Sequence, residues 1–488
     1  MKYPPMQHQS VALNRCEGKR NFGFFMEMGT GKTYTTLADS ERCYLAGKIN
    51  AILVVCPKVV VMNWVKREIP NHMDIPVITY GWTGKKTKAE AAAQDRLYET
   101  HHAIPPLKVF VINFDALNGS RGYDAVEKFL RTYKVMMVVD ESSRIKNPKA
   151  ARTKKVIELG KLAEARRILT GTPLTKAPTD LYSQFDFLKS GLLGTTSYRA
   201  FMSEYAVLIP PDSPKMIAIM RTTGARFPPQ VVDTDIFGKP MYKNLDRLSD
   251  LVAPHSFRVK KSDCLDLPPK VYQTVDFELN DKQKAVYEKL EQEYTYTSRD
   301  GDILEDHSFA AIATLTKMRQ TTSNFLMIQG ELIDLSEDNP RLDALEEVCE
   351  EIDTQFIVWC SFNEEIRSVE ARMKSLGITC RTYYGATSDT DRELAIDDFQ
   401  KGEFRCFIGN PQACGIGVTL TAAEYAIYYS SDYDFDKRLQ SEDRNHRIGT
   451  VNRVTYIDLV AIGTIDEKIA ANLQRKSDIA EYVIDRVR

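Results

Sequence analysis

Three clusters in this sequence have residue types and spacing suited to phosphate chemistry. Glu27-Met28-Gly29-Thr30-Gly31-Lys32-Thr33 follows an apolar run and precedes a helix-length segment. Glycines let successive backbone N–H groups curl around phosphate oxygens, and a helix N-terminus adds its positive dipole. In that arrangement Lys32 reaches the β- and γ-phosphates of a nucleotide, and the Thr33 hydroxyl ligates Mg²⁺. The pattern G-x-x-x-x-G-K-[ST] is incomplete, because Met26 stands where its first glycine belongs. A glycine turn followed by a surface lysine is the plain alternative. The second cluster ends an apolar run, Val135-Met136-Met137-Val138-Val139, in Asp140-Glu141. At the carboxyl edge of a sheet, Asp140 suits Mg²⁺ and Glu141 suits an attacking water. Alone, such a pair means only that a strand has reached solvent. The third cluster is Gln440 to Gly449, where Arg444 and Arg447 are three apart and a helix would present both on one face. Planar guanidiniums match the oxygens of a transferring phosphoryl group. The alternative is an exposed helix whose arginines pair with Glu442 or Asp443.

Elements of alternating type must position these clusters. Strands are predicted at Asn21–Met26, Ala51–Cys56, Val109–Ile112, Val135–Val139 and Arg167–Leu169, then again at Gln355–Cys360, Ile378–Tyr384, Cys406–Ile408, Tyr425–Tyr429 and Val454–Leu459. Their unbroken apolar character is that of strands covered on both faces, and helices such as Glu364–Lys374 and Asp391–Gln400 separate them. Strand and helix in alternation imply parallel sheets, so the fold class is α/β in two halves. Between the halves lie proline pairs and polar loops. Helices are predicted at Lys282–Tyr296 and His307–Asn324, and a hinge at Pro268-Pro269.

Composition narrows the class. The 488 residues are 43% hydrophobic and 27% charged, which excludes a disordered chain and is too long for one core. No apolar run approaches the ~18 residues of a membrane span, and the N-terminus has no signal-peptide core, so an intracellular protein is expected. Nine cysteines without a Cys-x-x-Cys argue against a disulfide framework or zinc ribbon. His72, His101 and His102 lack metal-ligand spacing, and Cys406 and Cys414 suit core packing. The net charge of −2 does not announce a nucleic-acid binder, so a polyanion would need a local groove. Arg144, Lys146, Lys149, Arg152, Lys154 and Lys155, within twelve acid-free residues, could supply one or simply face water.

Taken in order, the motifs resemble those of the Swi/Snf-type ATPases, the chromatin-remodeller-like branch of helicase superfamily 2. The matching segments are His8-Gln9, Glu27 to Thr33, Val54 to Trp64, Asp140-Glu141 with Arg144-Ile145-Lys146-Asn147, Leu169 to Leu174, Leu267-Pro268-Pro269-Lys270, Gly415 to Ala422 and Gln440 to Gly449. The resemblance covers nearly the whole chain. It implies two tandem RecA-like lobes with parallel sheets, each carrying a mainly helical insertion. Lobe 1 would span residues 1–265 with an insertion at about 191–250; lobe 2 would span 266–488 with one at about 280–340 and a C-terminal helical brace. No reader, nuclease or zinc module is recognised beside them.

The resemblance also implies roles. ATP would lie against Gln9, Gly29, Thr30, Gly31, Lys32 and Thr33, with Mg²⁺ on Thr33 and Asp140. Lys32, Asp140, Glu141, Arg444 and Arg447 would be catalytic, the arginines as fingers. Thr170, Gly171, Thr172 and Gln440 would couple nucleotide to nucleic acid, and Lys58, Trp64, Asn113, Ser361 and Thr421 would touch DNA. For Trp64 and Trp359 core burial is the preferred alternative. The chain departs from the family at Ser142-Ser143, in place of Ala-His, and at Met26, Ser430, Tyr433 and Thr450. The implied activity is an ATP-driven translocase on double-stranded DNA, monomeric, cytoplasmic and nucleoid-associated, or nuclear in a eukaryote, with any targeting protein unknown. A strand-separating helicase is less favoured: only about 22 residues separate Gly417 from Gln440, with no Asn-Gly or Asp-Gly turn for a wedge hairpin. A nucleotide-dependent switch is the third possibility.

Overall fold

The six residues Ala51–Cys56 carry no polar side chain to face water, and all six are buried in a central strand. The same logic builds the first sheet of the computed structural model: β1 (Asn21–Met26), β2 (Ala51–Cys56), β3 (Val77–Gly81), β4 (Leu107–Asn113), β5 (Val135–Asp140), β6 (Ala165–Leu169) and β7 (Ser256–Val259). The structure describes residues 1–473 except 86, 100–104, 175–176, 224, 236–239, 265–266, 300–304, 386, 415–417, 448–449 and 451. His101, His102, Gly415 to Gly417, Ile448, Gly449 and the C-terminal brace beyond residue 473 therefore lie outside the described residues.

The first sheet is parallel throughout, in the order β3-β4-β2-β5-β6-β1-β7. Its register sets Met26 level with Val259, Phe24 with Leu169 and Asp140 with Leu169. The carboxyl ends of β1, β5, β6 and β7 therefore form one contiguous edge. Phe25, Leu53, Val55, Val139 and Ile168 fill the core beneath it, each worth ~1.5–3 kcal/mol on burial.

The second sheet contains β8 (Lys270–Phe277), β11 (Phe356–Trp359), β12 (Cys380–Tyr383), β13 (Cys406–Gly409), β14 (Tyr425–Tyr428) and β15 (Val454–Ala461), parallel in the order β12-β13-β11-β14-β15-β8. A separate antiparallel pair joins β9 (Phe325–Ile328) to β10 (Glu331–Asp334). Helices Asp281–Arg299 and Glu305–Thr322 precede that pair. The chain divides into two units: Met1–Val207 with Gly238–Asp266 around the first sheet, and Leu208–Phe237 with Leu267–Ser477 around the second. The two parallel-sheet bodies match the expected α/β class. Strands β3, β7 and β8 were not among those predicted, and all three are edge strands.

Among the described residues, no helix is long and apolar enough to cross a membrane.

Candidate active site

Backbone geometry comes first. Gly29 and Gly31 have φ of +82° and +86°, in the left-handed region that side chains resist, and Gly31 caps the helix Lys32–Leu45. A Cβ on Gly31 would also lie 2.1 Å from Gln9 Nε2 and displace that side chain from the loop. The loop is tied internally by Thr30 Oγ1, which donates to Glu27 O at 2.7 Å. From outside, Gln9 Nε2 donates to Thr30 O at 3.3 Å, and His8 Nε2 lies 2.7 Å from the same carbonyl. Gln9 thus packs directly on the phosphate loop. Lys32 donates to Met26 O at 2.8 Å, a neutral acceptor that an anion would outcompete.

The helix behind the loop is anchored by charge. Asp39 pairs with Arg167 of β6 at 2.8 Å, both side chains being 1% exposed, and Arg167 also donates to Lys19 O and Arg20 O. Removing one partner of such a pair strands the other in the core.

At the end of β5, burial pushes the Asp140 carboxyl upward, against the pull of the Trp64 indole N–H and the Lys32 ammonium. The Trp64 bond is 3.0 Å to Oδ2. A carboxylate that is desolvated yet faces a cation suits a divalent metal. Among the described residues no cluster of three or more His, Cys, Asp or Glu side chains forms a protein-only metal cage. Glu141 is 5% exposed and has φ +55°, a conformation that costs a non-glycine residue roughly 1–3 kcal/mol. Its N–H donates to Asp140 Oδ1 at 3.0 Å, which ties the Asp140 carboxylate to the Glu141 backbone.

The serine that replaces the family's alanine has a task. Ser142 Oγ donates to Gln184 Oε1 at 2.7 Å, and Gln184 Nε2 donates to Pro173 O at 2.7 Å and Asp180 O at 3.0 Å. The acidic pair is thereby linked to the segment Thr170-Gly171-Thr172-Pro173. In that segment Thr170 is fully buried, its N–H donates to Phe24 O, and its Oγ1 accepts from Thr172 N at 3.1 Å.

The candidate DNA contacts fall into two groups. Lys58 is exposed, Ser361 and Thr421 are half-buried, and Thr421 Oγ1 accepts from Gln400 Nε2 at 3.0 Å. Ser361 Oγ donates to Ser430 O at 3.3 Å, within a network centred on Glu365. Trp64 is 1% exposed and Trp359 fully buried, which is the core alternative; Trp64 belongs beside Asp140, not on a surface open to nucleic acid. Asn113 is 8% exposed and its Oδ1 caps the turn Phe114–Asn118 by accepting from Ala116 N. Its carboxamide oxygen is therefore already engaged. Of the basic run, Arg152 pairs with Asp115 at 2.6 Å and Lys155 donates to the carbonyls of Leu117 and Asn118, leaving Arg144, Lys149 and Lys154 exposed.

In the second unit one expectation needs correction. Arg444 and Arg447 do not share a helical face, because the helix Phe435–Asn445 ends between them. His446 leaves helical geometry and its Nε2 lies 2.7 Å from Pro268 O, while Thr450 Oγ1 donates to Asn445 O and accepts from Arg447 N. Arg447 is half-buried and donates to Thr419 Oγ1 at 2.9 Å; Arg444 is 4% exposed, within electrostatic reach of Cys414. Gln440 is half-buried on the same helix. Glu442 pairs with Lys270 and Arg438, at 2.9 and 2.8 Å, and accepts from Tyr272 at 2.8 Å. Burial alone would raise it, but Lys270 and Arg438 hold it down at about 2. Arg438 further grips Asp458 through two nitrogens, at 2.5 and 2.9 Å.

Sequence reasoning passed over Arg258, which donates to Gly171 O at 2.8 Å and faces Glu27 Oε1 at 3.3 Å. Its signal was an arginine inside the apolar run Ser256-Phe257-Arg258-Val259, where a charge must find a partner.

Comparison with known proteins gives this arrangement its relatives. Residues 7–338 match the SNF2-related domain, and residues 340–449 match the helicase conserved C-terminal domain. An uncharacterized ATP-dependent helicase of Mycoplasma pneumoniae is 24% identical over 98% of this chain and 42% of its own length. The chromodomain-helicase-DNA-binding protein 1-like of Danio rerio is 25% identical over 95% of this chain and 42% of its own length. The solved Sulfolobus solfataricus SWI2/SNF2 ATPase core in complex with dsDNA is 22% identical, covering 99% of this chain and 93% of that one, with a TM-score of 0.41. The chain spans less than half the length of these two curated relatives. With the SNF2-related domain matching residues 7–338 of 488, and the helicase C-terminal domain following it, the chain belongs to the SNF2-related family of helicase-like motors.

Proposed function

We propose that this chain is a nucleic-acid-stimulated ATPase that moves along double-stranded DNA and remodels protein–DNA or branched structures without obligatory strand separation. The observation that carries the reading is the convergence of Lys32, Asp140, Glu141 and Thr170 at one sheet edge, around a loop with two left-handed glycines. Gln9, which packs on that loop, would read the adenine. Thr33 and Asp140 would hold Mg²⁺, which when bound neutralises phosphate charge. Lys32 would leave Met26 O for the phosphates. Glu141, held in its strained conformation, would orient water and take its proton on the carboxylate. Arg447 is the more accessible of the two arginines, and Arg444 is 4% exposed.

Translocation is preferred to unwinding because residues 418–440 hold one strand, β14, buried inside the second sheet, and no hairpin that could act as a wedge. Lys58, Ser361 and Thr421 would meet the phosphate backbone, which carries no sequence information. ATP hydrolysis by the purified protein, alone and with duplex DNA, single-stranded DNA or duplex RNA, tests the reading. Duplex DNA should stimulate most. Preference for single strands would favour the unwinding helicase, and indifference to every polymer would favour the switch.

A further inference from the structure

Arg258 occupies an unusual junction. It lies on β7, which pairs with β1, the strand that delivers the phosphate loop. One terminal nitrogen donates to Gly171 O at 2.8 Å, and the other faces Glu27 Oε1 at 3.3 Å. The second oxygen of Glu27 accepts from Lys261 N at 2.9 Å, and Glu27 N donates to Val259 O at 3.1 Å. The first residue of the phosphate loop is thus fixed through both its backbone and its carboxylate to the segment that carries Arg258. The Arg258 side chain is 10% exposed, so its charge is largely desolvated, and Gly171 O and Glu27, with a longer bond to Phe25 O at 3.4 Å, matter correspondingly.

Gly171 is itself packed on the loop. A Cβ there would lie 3.3 Å from Met28 N, closer than ordinary contact, and 3.4 Å from Glu27 Cα. Loop and turn therefore touch with no side chain between them, and the guanidinium bridges them at the point of contact. A phosphate settling on the loop would reorient Met28 and Gly29; Glu27 cannot follow without pulling Arg258, nor Arg258 move without disturbing Gly171 O. From Gly171 the effect passes to Thr170 and Thr172, joined by the 3.1 Å bond.

We infer that Arg258 is a positioning residue that carries the state of the phosphate loop into the Thr170–Thr172 turn, so that one guanidinium couples nucleotide occupancy to the conformation of that turn. The inference rests on the nucleotide reading above and adds a residue which that reading does not use. Lysine cannot replace it, because one ammonium offers no planar fork for two divergent acceptors.

Hydrogen–deuterium exchange on the full chain, with and without ADP, tests this without requiring turnover. In the unsubstituted protein ADP should slow exchange across both 27–33 and 170–174. Arg258→Gln and Arg258→Lys should keep the first effect and lose most of the second. In steady-state kinetics the ratio of duplex-stimulated to unstimulated kcat should fall about tenfold, with KM for ATP changed less than about threefold. Should Arg258→Gln fold poorly, Glu27→Gln removes the other end of the bridge and should give the same loss, the double variant no more than either alone. An undiminished response of 170–174 in both single variants, or fully additive effects, overturns the bridge. Failure of the unsubstituted protein to bind ADP at all overturns the nucleotide reading, and the bridge with it.

Discussion

The two units hold their charged groups in opposite ways. In the first unit Lys32 rests on a neutral carbonyl, desolvated Asp140 accepts from the Trp64 indole N–H and the Glu141 backbone N–H, and Glu141 sits in a left-handed backbone conformation. In the second unit Glu442 is saturated by Lys270, Tyr272 and Arg438, and Arg438 is shared with Asp458 and stacked on Tyr428 at 3.4 Å. The difference teaches where change is expected. Groups whose partners are poor exchange them for a ligand at little cost, whereas a closed network of buried charges keeps its geometry or fails altogether.

Substitutions can break or sharpen that contrast. Glu141→Gln should lower kcat for ATP by about 10²- to 10⁴-fold while ADP binding, followed by calorimetry, persists. Glu442→Gln should destabilise the second unit by roughly 3–5 kcal/mol in urea unfolding, because it strands Lys270 and leaves Arg438 with Asp458 as its acidic partner. Asp140→Asn should behave oppositely in the same experiment: a carboxylate raised by burial opposes folding when ionised, so the midpoint should not fall, although turnover is lost. A large destabilisation by Asp140→Asn would erase the contrast.

Acid offers a third probe. The folded pKa of Glu442, about 2, lies below its ordinary value of 4.5. Its contribution is therefore complete above pH 4.5 and lost as pH falls toward 2, on the order of 3 kcal/mol in total. That slope should be present in the unsubstituted protein and absent in Glu442→Gln. The smallest expected effect is that of Gln184→Ala, about 1–3 kcal/mol of stability, since it leaves the buried Ser142 hydroxyl without its acceptor.

Much of this organisation was legible in the sequence, for an identifiable reason. Central strands such as Ala51–Cys56 and Asn21–Met26 are apolar on both faces and announce themselves, and the phosphate loop and the acidic pair follow such strands directly. Of the four edge strands of the two parallel sheets, β12 was legible and β3, β7 and β8 were not. β8 mixes polar with apolar residues and exposes Tyr272, Gln273 and Thr274 in succession, β3 is mostly half-buried, and β7 carries Arg258 among its four residues. Missing β7 meant missing Arg258, whose partners Glu27 and Gly171 are distant in the chain and adjacent only through the sheet order. The end of the helix before Arg447 was hidden for a similar reason: it depends on Thr450 and on His446 meeting Pro268 O.

Release of a third strand from a DNA triplex tests the central claim most directly, because it reports movement along an intact duplex. The account predicts ATP-dependent release by the unsubstituted protein, none with Glu141→Gln, and no separation of the underlying duplex. Separation of that duplex, or release that is independent of ATP, would contradict it.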